Sequence, residues 1–299
     1  MNIYDIAIIG GGPAGLTAAI YAGRANKSVV VLEKGTFGGQ ITSSPKVENI
    51  PGFKSVTGNE FAEKLMDQAI SLDADIECCE VEKIVCGDVH TIVTDEGEFN
   101  AKAVIIATGT KHRMLGLDRE EEFVGNGISF CAVCDGAFYD GKTVAVIGGG
   151  NSALQEAILL SETCEKVYVV QNLDFLTGED KLQKILAGKS NVEVIYGTTV
   201  KKLLGEDELS GIILENGDGE FELPVDGMFV AIGLIPQNEI FADAISLDDW
   251  GYVKSDESCE TNIKGVFVAG DCRAKKIRQV ATAASDGAVA ALAACSYIG

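Results

Sequence analysis

Apolar residues along this chain fall into short runs that stop at glycines. Asp5–Gly15 reads DIAIIGGGPAG, and Thr143–Ala153 reads TVAVIGGGNSA. Each is a β-favouring run, a glycine turn and a helix-forming stretch, and an apolar run cut off by turn residues predicts a buried strand. Each copy later reaches a second apolar strand ending in small residues, Ala103–Gly109 (AVIIATG) and Met228–Gly233 (MFVAIG). The chain therefore carries one unit twice. Alternating strands and helices predict parallel sheets joined by crossover helices.

The second copy sits inside the first. After Gly233 come Ile235-Pro236, a loop, the apolar strand Gly265–Ala269 and the turn Gly270-Asp271, and a helix-like segment Gln279–Cys295 follows. That strand has no place in the second copy and is returned to the first sheet. The expected domains are 1–112 with 243–299, and 113–242. The fold class is α/β: two Rossmann-like, three-layer nucleotide-binding domains, the second inserted in the first.

Composition narrows the setting. Hydrophobic residues make up 46% of 299, enough for sizeable cores. No apolar run reads as long enough to cross a bilayer, which needs about 20 residues. The N-terminal Met1–Asp5 lacks the features of a signal peptide. A cytoplasmic protein is expected. Asp and Glu total 45 against 24 Lys and Arg, a net charge of −21, which argues against nucleic acid or an anionic membrane as partner. Nine cysteines, an odd and scattered set, fit no secreted disulfide framework.

Gly10, Gly12 and Gly15 satisfy G-x-G-x-x-G, with Pro13 and Ala14 between them. Such glycines permit a tight turn, close approach of backbone to a pyrophosphate and close helix packing. The helix N-terminus then offers unpaired N–H groups to the phosphates. Glu33 ends the next strand, 23 residues after Gly10, where a carboxylate can accept hydrogen bonds from an adenosine ribose.

Cys131-Ala132-Val133-Cys134 is the chain's one C-x-x-C, and Asp135 follows it. A structural zinc site needs four ligands, and His90 and His112 are not arranged to complete one. An iron–sulfur cluster also wants more spaced cysteines. No metal is expected, and a redox disulfide with an adjacent acid/base group is the better reading.

Together these residues resemble the bacterial-type thioredoxin reductases over essentially the whole chain. The matches are Gly10–Gly15, Gly38-Gly39-Gln40, Val47–Gly52, Ala107-Thr108-Gly109, Cys131–Asp135, Gly148–Ala153, Gly270-Asp271 and Arg278-Gln279-Val280. The resemblance implies FAD, a homodimer, and a second domain that rotates between two positions. It implies that Gln40 and Asn49 lie near the isoalloxazine, that Asp271 holds the ribitol, and that Gln279-Val280 bring a helix N-terminus to the flavin. Lys34, Gly39, Val81, Gly109, Gly270 and Arg278 complete the implied cofactor set. Cys134 would face the flavin, Cys131 would attack the disulfide of thioredoxin, and Asp135 would shuttle the proton.

One stretch departs from the family. NADPH-dependent members carry a basic cluster after the strand that follows the second glycine turn. Here that stretch reads Gln171-Asn172-Leu173-Asp174-Phe175-Leu176-Thr177, with Glu179 and Asp180 beyond. A 2′-phosphate wants arginine pairs. Losing two or three charge-assisted bonds, about 1.5–3 kcal/mol each, weakens binding by orders of magnitude. Counting 23 residues from Gly148 reaches Gln171, so NADH also lacks its usual carboxylate. The chain is most like the ferredoxin-linked, pyridine-nucleotide-independent flavin thioredoxin reductases. A ferredoxin near about −400 mV can reduce a thioredoxin near about −270 mV, a drop of about 6 kcal/mol for two electrons. Three alternatives stay open: an NADH- or NADPH-dependent reductase with atypical contacts, a flavin-dependent dithiol oxidase, and a flavin redox sensor.

Other residues carry less. Arg273, Lys275, Lys276 and Arg278 form the densest basic run and are a candidate docking patch for an acidic donor, against the plainer reading of a surface loop. The cysteines outside the pair read as small buried hydrophobes, His112 as a surface histidine and Tyr297 as part of a frayed terminus.

Overall fold

A computed structural model of the chain describes residues 3–44 and 47–299. Met1 and Asn2, part of the N-terminal reading above, lie outside the described residues. The chain divides into two compact units, Met1–Lys111 with Ile235–Gly299, and His112–Leu234.

The chain begins with β1 (Ile3–Ile9), α1 (Pro13–Arg24), β2 (Val29–Glu33), α2 (Gly58–Ile70) and β3 (Asp75–Cys78). There follow β4 (Val81–Val85), β5 (His90–Thr94), β6 (Gly97–Ile106) and β7 (Thr110–His112). The inserted unit holds α3 (Glu120–Phe123), β8 (Ile128–Ser129), α4 (Ala132–Asp135), β9 (Thr143–Ile147), α5 (Asn151–Leu160), β10 (Lys166–Val170), α6 (Asp180–Ala187) and β11 (Val192–Ile195). It continues with β12 (Thr199–Gly205), β13 (Leu209–Asn216), β14 (Gly219–Pro224) and β15 (Gly227–Val230). The chain returns through β16 (Leu234–Pro236), then β17 (Val266–Val268) and α7 (Val280–Ile298).

In the first unit the strands run β3-β2-β1-β6-β5-β4, with β17 on β6. Strand β17 pairs in parallel with β6 through Val266↔Val104 to Val268↔Ile106, which places the returning strand in the first sheet. Strands β1, β2, β3 and β6 are also parallel neighbours, and the apolar runs Ile6–Ile9 and Val29–Leu32 are buried. In the second unit the order is β11-β10-β9-β15-β8, all parallel.

Two features depart from an all-parallel reading. Strands β4 and β5 pair antiparallel with each other, and β5 with β6. Strands β12, β13 and β14 form a separate antiparallel sheet. Their connections are too short for a crossover, which takes a dozen or more residues; only Asp95 and Glu96 separate β5 from β6.

The second crossing falls at Leu234/Ile235, earlier than the expected 242/243. The cause is Asn238, fully buried in the first unit. Its side chain accepts from Thr108 Oγ1 (3.0 Å) and donates to the carbonyls of Gly251 (2.9 Å) and Cys272 (2.8 Å).

Helix α7 corrects two further expectations. By length and composition alone it is apolar enough to cross a membrane, so such a run does exist. It is nevertheless built against α1: a Cβ on Gly287 would stand 2.2 Å from the carbonyl oxygen of Ala14, and Ala283, Asp286, Gly287, Ala290, Ala291 and Ala294 are its buried face. Tyr297 is not frayed; it lies within α7 and meets Phe267 edge-on, ring centroids 6.4 Å apart.

Candidate active site: a glycine cradle and a half-buried disulfide

In the first unit the small residues are required by contact. Gly10 has φ +112, and a Cβ there would lie 2.3 Å from the carbonyl oxygen of Ala107; one on Gly15 would lie 1.9 Å from that of Gly10. Gly39 packs on Gly12, and Gly270 on Ala14. A Cβ on Gly12 meets nothing within 4 Å, so the backbone there is open to close approach. Helix α1 starts at Pro13 with no side-chain cap, leaving its first N–H groups for an anion. Glu33, at the end of β2, accepts from Gly11 N (2.7 Å) and Gly35 N (2.8 Å), which holds the turn and the strand end together.

The remaining expected cofactor residues gather in the same unit. Gln40 Nε2 donates to the carbonyl of Thr110. Asn49 Nδ2 donates to Gln279 Oε1 (3.2 Å), and Gln279 caps α7 in a reciprocal box with Thr282, so Val280 begins that helix. Arg278 Nε donates to the carbonyl of Asp271 (3.2 Å), and its guanidinium lies 4.1 Å from the centre of the Tyr252 ring. Gly109 takes φ +66 between Thr108 and Thr110. Val81 is buried at the start of β4, and Lys34 is exposed, paired with Glu80 at 3.0 Å.

Asp271 matters most for cofactor fit. Its Oδ1 is buried with no hydrogen-bond partner, and burial pushes its carboxyl above the usual carboxylate range against the pull of Lys275. Lys275 Nζ is ion-paired with that oxygen at 3.4 Å, and a ligand hydroxyl would add the hydrogen bond it lacks. The open face of Gly12, the uncapped α1 and this oxygen all fit a flavin dinucleotide.

The second glycine turn is built differently. Gly148 has φ +129, and a Cβ on Gly149 would lie 2.5 Å from the side-chain carbon of Gln171. Gln171 is buried, and its Nε2 donates to the carbonyl of Phe175 (3.0 Å). Thr177 N and Gly178 N both donate to the carbonyl of Gly149 (2.8 and 2.9 Å). Asn151 and Glu179 close the same loop, Asn151 Nδ2 donating to Glu179 Oε1 and Glu179 N to Asn151 Oδ1. Leu173 and Phe175 are exposed on it, and residues 171–180 contain no Lys or Arg. The glycine turn is kept, and the loop beside it carries no cation.

Cys131 and Cys134 form a disulfide. Cys131 caps the short helix α4, and its Sγ accepts from Cys134 N (3.2 Å). Ser129 Oγ donates to Asp135 Oδ2 (2.6 Å) and accepts from Cys131 N (3.1 Å). Asp135 Oδ1 is buried without a partner, and burial raises the carboxyl above its ordinary value, opposed by the Ser129 bond. A carboxyl that keeps its proton at higher pH can hand it to a leaving thiolate.

Two groups that the motif reading missed stand with it. Glu156, on α5, is pushed up to about 8 by burial and then by the charge of Asp135, and its Oε2 is buried and unpartnered. The available signal was a carboxyl one helical stretch after a glycine turn. His112 is no surface histidine: it stacks on Phe130, centroids 4.3 Å apart, and burial pushes it down to about 4. Among the other cysteines Cys78 is exposed and Cys86 and Cys295 are half-buried, so the buried reading holds for Cys79, Cys164, Cys259 and Cys272.

The basic run also reads differently in three dimensions. Lys275 and Arg273 are turned inward and ion-paired with Asp286, which leaves Lys276 as its fully exposed cation. A run of four basic residues is not a four-charge docking patch.

A unit with an open glycine cradle, joined in one chain to a unit carrying a half-buried C-x-x-C disulfide and an adjacent acid, defines a flavin-type disulfide oxidoreductase. Residues 4–287 match the pyridine nucleotide-disulphide oxidoreductase family. A 34.2 kDa protein in the rubredoxin operon of Clostridium pasteurianum is 45% identical, covering 99% of this chain and 97% of that one. The thioredoxin reductase of Listeria monocytogenes is 39% identical over 99% and 94%. The crystal structure of thioredoxin reductase from Streptococcus pyogenes superposes with a TM-score of 0.94 at 38% identity, over 99% and 98%. The chain belongs to the thioredoxin reductase branch of the pyridine nucleotide-disulphide oxidoreductases, whose cofactor is FAD.

Proposed function

We propose that the chain reduces thioredoxin through Cys131 and Cys134, with electrons from ferredoxin rather than from NADPH or NADH. The observation that carries the donor is the loop after β10. It holds Gln171 where a ribose carboxylate is usual, exposes Leu173 and Phe175, and offers acids where a 2′-phosphate needs cations.

Bound FAD would supply the two-electron reducing power for the disulfide. The cradle from Gly10 to Gly15 would hold its pyrophosphate, Glu33 its adenosine ribose and Asp271 its ribitol. Gln40, Asn49 and Gln279 order the remaining contacts. Once the pair is reduced, the Cys131 thiolate attacks the partner disulfide and forms a mixed disulfide. Cys134 then attacks Cys131, closing the internal disulfide and releasing thioredoxin as a dithiol. Two thioredoxin thiolates depart in turn: Asp135 gives its proton to one, the other takes the proton that Cys134 loses on attack, and Asp135 is reprotonated when the pair is next reduced. A homodimer in the cytoplasm is the accompanying assignment.

The test is thioredoxin reduction measured with NADPH, NADH and reduced ferredoxin in parallel. Turnover with ferredoxin alone is expected. Efficient turnover with micromolar NADPH or NADH overturns the donor. Cys134→Ser should trap thioredoxin on Cys131, and failure to trap it removes the assigned attacking thiol.

A further inference from the structure

Asp286 lies on the buried face of α7 and is the one charged side chain of that helix. One of its oxygens, Oδ2, accepts from three donors: Gly270 N (3.1 Å), Arg273 Nε (3.0 Å) and Lys275 Nζ (2.9 Å). Lys275 also lies 3.4 Å from Asp271 Oδ1, the buried oxygen without a hydrogen-bond partner. The Lys275 and Asp286 side chains are only 10% and 11% exposed. Arg273 Nη1 donates to Ser255 Oγ and to the carbonyl of Asp256, each at 3.1 Å. Lys275 is thus shared between the Asp286 and Asp271 carboxylates.

We propose that Lys275, held by Asp286, is a positioning residue for FAD: it presents the Asp271 carboxylate to the cofactor and keeps a positive charge at that end of the site. Geometry favours this over a docking role, because a side chain buried between two carboxylates offers no charge to a partner. Two buried acids near one another repel, and a buried charge needs a partner to remain ionised. Lys275 serves both. Asp286 fixes the Gly270 turn, whose closeness to Ala14 (a Cβ there would be 2.8 Å from the Ala14 Cβ) ties it to the start of α1. The inference rests on FAD occupying the first unit.

The experiment titrates FAD into deflavinated wild type, Lys275→Met, Lys275→Arg and Asp286→Asn, and measures the flavin midpoint potential of each reconstituted protein. Losing one charge-assisted bond should weaken FAD binding by about 10- to 100-fold in Lys275→Met. Removing a cation should also lower the midpoint potential by about 30 mV, a tenfold change in the two-electron equilibrium. Lys275→Arg should recover most of both. Asp286→Asn, which keeps Lys275 but weakens its anchor, should fall between them and stands in if Lys275→Met does not fold. Unchanged affinity in Lys275→Met overturns the proposal. So does weakened affinity with an unchanged potential, which would mark a purely structural lysine. If wild type takes up no FAD, the cofactor assignment itself fails, a result distinct from a variant that matches a wild type that binds.

Discussion

The two glycine turns share a plan and differ at the three places where a ligand would be recognised. Glu33 ends the strand beside the first, accepting from Gly11 N and Gly35 N; Gln171 follows the strand beside the second and donates to the carbonyl of Phe175. The third glycine of the first motif is Gly15, in contact with Gly10; its counterpart is Ala153. Eight residues after Gly10 stands the buried Ala18, and eight after Gly148 stands Glu156. The first turn has kept an anion cradle. The second has kept a strand–turn–helix frame whose helix carries Glu156, packed against the α4 segment of the disulfide and Asp135. A fold therefore does not imply a ligand; the residues at the turn decide.

The largest effect should come from closing the first cradle. Gly15→Val puts atoms into the 1.9 Å contact with Gly10 and should leave protein without FAD, read by the loss of visible absorbance. Cys131→Ser or Cys134→Ser should keep the flavin yet lower thioredoxin turnover by at least about a thousandfold, as expected when one member of a cooperating nucleophile set is removed.

Rebuilding the second cradle sharpens the contrast from the other side. Asn172→Arg with Leu173→Arg and Thr177→Arg adds cations where none stand in residues 171–180. NADPH-driven flavin reduction should rise by at least about tenfold, since each charge-assisted bond contributes about 1.5–3 kcal/mol. No gain would mean that the loop's cations are not what the second turn lacks.

Glu156 offers a pH test. Its folded value, about 8, lies above the ordinary 4.5. The neutral form is favoured in the folded protein, so its contribution is fully present below pH 4.5 and is lost as pH rises through 8. Wild-type stability should fall across that window with a slope of up to about 1.4 kcal/mol per pH unit from this proton. Denaturant unfolding of Glu156→Gln at pH 5 and pH 8 should show the slope flattened; an unaltered slope would remove Glu156 from the buried acid cluster.

The smallest effect belongs to the exposed cation. Lys276→Glu should slow ferredoxin-driven reduction about two- to fivefold at low salt and little at high salt, because exposed charges are screened within about 10 Å at 0.1 M.

Much of this was legible in the sequence for a local reason. Glycine turns, the C-x-x-C and apolar strand runs are short-range patterns, and the nested repeat follows from where the returning strand 266–268 must pair. What stayed hidden is held by distant partners. Asp286 meets Gly270, Arg273 and Lys275 across a turn and a helix, so a basic run that reads as surface is partly internal. Glu156 and Asp135 are 21 residues apart, brought together by α4 and α5 with a strand between them. Asn238 moves the second crossing because it bonds Thr108, a contact that no periodicity announces. The antiparallel strands β12, β13 and β14 follow from short connections inside what otherwise alternates as strand and helix.

The claim that one cradle works and the other does not is tested most directly by anaerobic titration of the oxidised flavoprotein, following flavin absorbance with NADPH, NADH and reduced ferredoxin in turn. Bleaching within seconds by ferredoxin, and none by either nicotinamide at micromolar concentration, is the predicted result. Stoichiometric bleaching by NADPH or NADH would contradict it.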